Sequence, residues 1–215
     1  MKKLITLILF SILIPALPAH AAPYNLRWDL NKGDRLELVK TASAKFYLNT
    51  RLRRTYLERN IIDLTCYDKS DSVLNVKGAF SVFSRDDEES VFKLEKRLYA
   101  DFAIHHNGRY EVSNEFLMPN LRHIPTFPDR ELSVGDTWSA PSELILDHLS
   151  RPYTIQLDVK YKFQEVKEIR GIETAVITYS FEKEDDLTRK NNPPDFPLKI
   201  GTTDKGIVYW DIKGN

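Results

Sequence analysis

Alternation constrains this chain more than any other feature. From Leu36 the even positions read Leu36, Leu38, Lys40, Ala42, Ala44, Phe46 and Leu48, apolar but for one lysine. Ile62, Leu64 and Cys66 continue the pattern. Leu74, Val76, Gly78, Phe80 and Val82 follow, and then Phe92, Leu94, Lys96, Leu98, Ala100, Phe102 and Ile104. The positions between them carry most of the charge. Successive side chains of a strand point to opposite faces, so this period predicts long antiparallel strands with one face buried and the other wet.

The turns agree. Asn31-Lys32-Gly33-Asp34 precedes the first long strand, Asp68-Lys69-Ser70-Asp71 separates two others, and Asn107-Gly108 sits between Ile104 and Tyr110 as a hairpin signal. Alternation returns at Tyr153, Ile155, Leu157, Val159, Tyr161 and Phe163, turns at Arg170-Gly171, and resumes at Ala175, Ile177, Tyr179 and Phe181. A polar loop with Pro193, Pro194 and Pro197 leads to a last strand at Ile207-Val208-Tyr209-Trp210. Between them, residues 113–152 hold Pro119, Pro125, Pro128, Pro141 and Pro152 and are expected to be irregular, with one short helix over Ser142 to Leu149. The fold class expected is all-β: one domain of long antiparallel strands curled into a half-barrel or two packed sheets, its apolar face covered by the proline-rich segment. One internal echo stands out. Leu30-Asn31-Lys32-Gly33-Asp34 and Leu132-Ser133-Val134-Gly135-Asp136 each open a block of strands, as one turn solution used twice.

The N-terminus addresses the compartment. Lys2 and Lys3 precede an apolar run from Leu4 to Ile14, and Ala19-His20-Ala21 supplies a peptidase site. The run is shorter than the roughly 20 residues that span a bilayer. Residues 1–21 therefore read as a cleaved secretory signal and 22–215 as one exported domain, placed in a bacterial periplasm or at the outer-membrane periphery, with no transmembrane segment after cleavage. Removing Lys2 and Lys3 from an even balance of 31 basic and 31 acidic residues leaves a small net negative charge. That argues against nucleic acid as a partner, which selects a basic excess. Cys66 is the only cysteine, so no intrachain disulfide forms.

Four features could carry chemistry. Phe127-Pro128-Asp129-Arg130-Glu131, continuing to Gly135-Asp136-Thr137-Trp138, reads as a turn that launches a strand: Gly135 takes positive φ, Asp136 braces the backbone, and Phe127, Pro128 and Trp138 fill space around it. Its acids have no nucleophile or metal ligand beside them in sequence. His105, His106, His123 and His148 lack metal-ligand spacing, so no metal or cofactor is expected. Ser90-Val91-Phe92-Lys93 fits an S-x-x-K pattern, but it opens an alternating strand where that chemistry needs a helix. Arg51, Arg53 and Arg59 share an outward parity and are expected to face Glu95 and Asp101 across the sheet.

Met118-Pro119 through Arg122, Pro125, Phe127-Pro128-Asp129-Arg130 and Gly135-Asp136-Thr137-Trp138, followed by Arg151-Pro152-Tyr153 and Ile207-Val208-Tyr209-Trp210-Asp211, resembles the N-terminal β-rich region of spirochaete OmpA-family envelope proteins. The resemblance implies an exported β module of the cell envelope. The C-terminal OmpA-like signature is missing from the chain, so peptidoglycan binding is not carried over.

The function expected from these readings is a non-enzymatic envelope module, structural or binding another envelope component, protein or lipid. The alternatives are a carrier of an apolar ligand, with Phe80, Phe92, Phe102, Tyr161 and Phe163 lining a cavity on the apolar sheet face, and a cell-wall enzyme using Ser90 or the acids near Asp136.

Overall fold

The computed structural model describes residues 22–48, 51–86, 91–113, 121–148, 151–186 and 199–213. Among them are ten strands and no helix. The first sheet is an antiparallel meander of β1 (Arg35–Leu48), β2 (Arg51–Lys69), β3 (Val73–Asp86), β4 (Lys93–His105) and β5 (Tyr110–Val112). The second is built from β6 (Leu121–Arg122), β7 (Thr137–His148), β8 (Arg151–Ile169), β9 (Ile172–Asp186) and β10 (Lys199–Asp211), again each strand beside the next. The sheets stay open and share one core, as the all-β expectation required.

The two Gly-Asp turns are one device used twice. Gly33 and Gly135 sit at φ of 96° and 98°, where a Cβ would strain the backbone. The Gly33 N–H donates to Cys66 O over 2.7 Å and the Cys66 N–H to Asp34 O over 3.0 Å. The Gly135 N–H donates to Phe163 O over 2.7 Å and the Phe163 N–H to Asp136 O over 2.9 Å. Asp34 and Asp136 each accept from the backbone N–H three residues earlier, at 2.7 Å from Asn31 and 3.1 Å from Ser133. Just past each anchor the long strand carries a bulge, at Tyr67 in β2 and Gln164 in β8. A bulge steepens local twist, so both sheets coil at the same place relative to their opening turn. The echo in sequence thus marks two equivalent four-strand blocks, β1–β4 and β7–β10.

Two segments outside the strands join the sheets. Tyr24 and Leu132 exchange backbone hydrogen bonds of 2.7 and 2.8 Å, and the Trp28 N–H donates to His106 O over 2.8 Å. These bonds hold Leu26, Trp28 and Leu30 in the core, all 3% exposed or less. The Trp28 ring meets Tyr110 of the first sheet at 6.1 Å and Trp210 of the second at 5.0 Å, edge-on in both cases. Ile124, Phe127 and Leu132 plug the same core from the proline-bearing linker, as the expected cover does. Gly108 permits this closeness, since a Cβ there would lie 2.2 Å from Pro125 O.

Three expectations are corrected. The irregular stretch is shorter than 113–152, because β7 begins at Thr137 and β8 at Arg151. Ser142 to His148 belongs to β7, so the short helix does not form. Pro141 signals a break in the sequence, yet it is tolerated because the other side of β7 is paired only at Glu143 and Leu144, by β6. Phe92 and Leu94 do not share the inner face of β4. Glu95 is an extra residue between Lys96, opposite Val82, and Leu94, opposite Phe83, so parity inverts beyond it.

Candidate functional site

Among the described residues the apolar sheet face is packed. Phe80, Phe102, Tyr161 and Phe163 are 4%, 6%, 2% and 0% exposed, so they are packed core. Phe80 and Phe102 meet at 6.1 Å, Phe102 meets Tyr110 at 5.4 Å, and Tyr161 stacks on Trp138 at 5.1 Å with 9° between the planes. A small gap on this face, beside Leu38, Lys40, Phe80 and Tyr110, measures about 10 Å³, about the least that holds a single water. Phe92 lies on the outer face instead, with the Arg59 and Arg85 guanidinium carbons 4.2 and 5.1 Å from its ring centre. Arg59 therefore covers an aromatic ring, and the expected partner Glu95 accepts a short hydrogen bond from Ser84. The side chains of Arg51, Arg53 and His148, and Ser90 with its acidic neighbours, lie outside the described residues.

Lys40 interrupts the apolar alternation of β1. Burial among apolar neighbours pushes its ammonium down to about 8. Ser142 holds the matching sixth position of β7 and donates a short hydrogen bond to Arg122 O. Burial also pushes the Tyr110, Tyr161 and Tyr179 phenols well above their usual range, keeping them neutral.

The polar groups read as candidate chemistry hold the backbone. Asp136 Oδ2 accepts from Arg130 Nη1 at 2.8 Å and from the Ser133 N–H at 3.1 Å, which holds its carboxyl below the usual range. Phe127 is buried against Trp138 and Trp210, and Trp138 Nε1 donates to Thr126 O over 2.8 Å. Asp129 and Glu131 are exposed beside this turn, and Pro128 is half-buried. His106 faces two carbonyl oxygens, Trp28 O at 2.5 Å from Nδ1 and Asp71 O at 3.1 Å from Nε2. His105 lies 2.6 Å from Glu111, and His123 Nδ1 accepts from the Tyr110 N–H over 2.8 Å. Among the described residues no three His, Cys, Asp or Glu side chains gather in a metal-binding arrangement.

Sequence reasoning missed a concavity among the described residues, a trough of about 780 Å³ across β7, β8, β9 and β10. Register builds it from three transverse rows. Thr137, Lys162, Thr178 and Ile207 form one wall, and Ser139, Lys160, Ser180 and Lys205 the other. Trp138, Tyr161, Tyr179 and Gly206 run between them with their side chains on the core face. Short hydroxyl side chains leave the trough open, and it holds three lysines and no carboxylate. The signal was present in the sequence as Lys160 and Lys162 on the outward parity of β8. Their alignment with Lys205 needed the register of three strands.

No helix among the described residues is long and apolar enough to cross a membrane. Comparison with protein-family models, curated proteins and solved structures found no match for this chain.

Proposed function

We propose that this chain is a non-enzymatic module of the bacterial cell envelope, exported on its N-terminal signal, whose task is to bind another envelope component. The observation that carries the choice of binding module over carrier is the filled core. Phe80, Phe102, Tyr161 and Phe163, the side chains that would line a carrier's cavity, spend their surface on one another and on the linker plug. The groups closest to catalytic types, Asp136 and His106, are occupied by backbone and by Arg130, which supports the non-enzymatic reading. The likeness to spirochaete OmpA-family N-terminal regions supports the envelope setting.

The test is native mass spectrometry of the mature protein purified from its own envelope, with fractionation of the cells beside it. A mass starting at Ala22, found in the envelope fraction without an apolar adduct, is the expected result. A lipid-sized adduct lost on denaturation would replace this reading with the carrier, and a cytoplasmic protein retaining residues 1–21 would remove the envelope setting.

A further inference from the structure

We infer that the trough on the outer face of the second sheet is a binding site for a linear polymer of phosphoryl groups. This deepens the binding-module reading and rests on it only for the claim that binding is the protein's task.

Three lysines share this concavity. Some lysines elsewhere on the surface are ion-paired, Lys69 with Asp29 at 2.6 Å, Lys167 with Glu165 at 3.4 Å, Lys199 with Glu184 at 3.2 Å and Lys213 with Glu173 at 3.0 Å. Lys160, Lys162 and Lys205 have no such partner among the described residues. Three lysines around one concavity, none of them ion-paired among the described residues, raise the local potential of a chain with equal numbers of acids and bases. The outward acids Asp158 and Glu182 lie one row beyond the wall that bears Lys160 and Lys205, two residues from Lys160 and Ser180, and bound the basic zone on that side.

Geometry then selects the anion. Lys160 and Lys162 stand on opposite walls about 7 Å apart along β8, and Lys205 stands two strands away, about 10 Å from Lys160. Four strands give the trough a length of about 14 Å, room for two or three linked anionic units. A planar carboxylate is best met by the fork of an arginine, and no arginine lines the trough. A tetrahedral phosphoryl offers oxygens in several directions at once. It can accept from an ammonium on one wall and from a Ser139, Ser180, Thr137 or Thr178 hydroxyl on the other. The rings of Trp138, Tyr161 and Tyr179 pack on the core side of the sheet beneath the trough, so they offer no stacking platform of the kind single-stranded nucleic acids use.

The experiment is calorimetric titration of the mature protein with sodium polyphosphate of defined length. Orthophosphate, a polygalacturonate of matched charge and an oligonucleotide of matched charge serve as the other probes. Polyphosphate is expected to bind more tightly than all three, with an affinity that falls as salt rises. Lys160→Glu with Lys162→Glu is expected to weaken it by at least about tenfold. Lys160→Arg with Lys162→Arg should retain most of the binding, and Lys213→Glu, which removes a paired lysine outside the trough, should leave it unchanged. All these positions are exposed, and strand content by circular dichroism verifies that each variant is folded. Equal binding by the double Glu variant, equal affinity for orthophosphate, or tighter binding of the carboxylate polymer or the oligonucleotide would each overturn the inference. Its failure is separable from failure of the envelope reading, which the fractionation and native mass measurements test without any added anion.

Discussion

The two four-strand blocks are the same frame finished in different ways. Each opens on a Gly-Asp turn that hydrogen-bonds to its second strand, each bulges just beyond that anchor, and the second strand is 19 residues long in both. Their outer faces diverge. In the first block Arg59 and Arg85 cover Phe92, and Lys77 lies over Tyr67. In the second block Lys167 lies over Tyr209 in the same manner, but the neighbouring rows carry short hydroxyl residues and three lysines without ion pairs among the described residues. Inner-face alternation and the turn hydrogen bonds determine the frame, whereas outward side chains can change with little cost to it.

The largest expected effect separates the blocks. Trp28 touches aromatic rings of both sheets and is fully buried, and its indole N–H donates to Pro125 O at 3.2 Å. Trp28→Ala should cost about 3–5 kcal/mol. In urea unfolding, fluorescence of Trp138 and Trp210 reports the second sheet while circular dichroism reports both. Splitting of the transition into two would show that the N-terminal segment makes one cooperative unit of the blocks. A single transition at the original midpoint would show that the sheets hold one another without it.

A middle-sized effect tests the matching breaks in the inner stripes. Lys40 is lowered to about 8 by burial, so its charged form is disfavoured in the folded state. The unfolded chain holds that proton up to about pH 10, so the penalty is full below about pH 8 and fades as pH rises between the two values. Lys40→Met should therefore stabilise the protein by about 1–2 kcal/mol at pH 7, since the ammonium's own interactions offset part of the gain, and should flatten the pH dependence between about 8 and 10. Ser142→Ala, at the matching position of β7, should destabilise by about 1 kcal/mol, because Arg122 O loses its donor. Chemical denaturation across that pH range measures both, and equal signs for the two substitutions would remove the contrast.

The smallest effect sharpens the likeness. Gly33 and Gly135 have the same positive φ, and no atom lies within 4 Å of the place a Cβ would occupy, so strain alone opposes a larger residue. Gly33→Ala and Gly135→Ala should each cost about 1 kcal/mol, and the two costs should agree within experimental error. Unequal costs in thermal melts would mean that the turns are alike in shape but not in the load they carry.

Much of the frame was legible along the chain, because period two is a local property and each apolar stripe reports its own strand. Ile62, Leu64 and Cys66, and then Ile155 to Phe163, are buried as their alternation requires. Leu26, Trp28 and Leu30 alternate too and went unread, since three apolar residues before a turn do not reveal which surfaces they will join. The parity of Phe92 failed for a definite reason. A single extra residue at Glu95 inverts every position beyond it, and a bulge depends on the partner strand, here β3.

What the sequence by itself determined is therefore the all-β class, the strands marked by alternation, the Asn107-Gly108 hairpin and the repeated Gly-Asp turn. Tertiary structure alone decided that residues 142–148 extend β7, that the linker and the N-terminal segment fuse two sheets into one core, and that Lys160, Lys162 and Lys205 border one trough. The physical reason is range. Side-chain alternation is set by neighbours two residues apart, whereas register, bulges and the gathering of like charges are set by strands far apart in the chain.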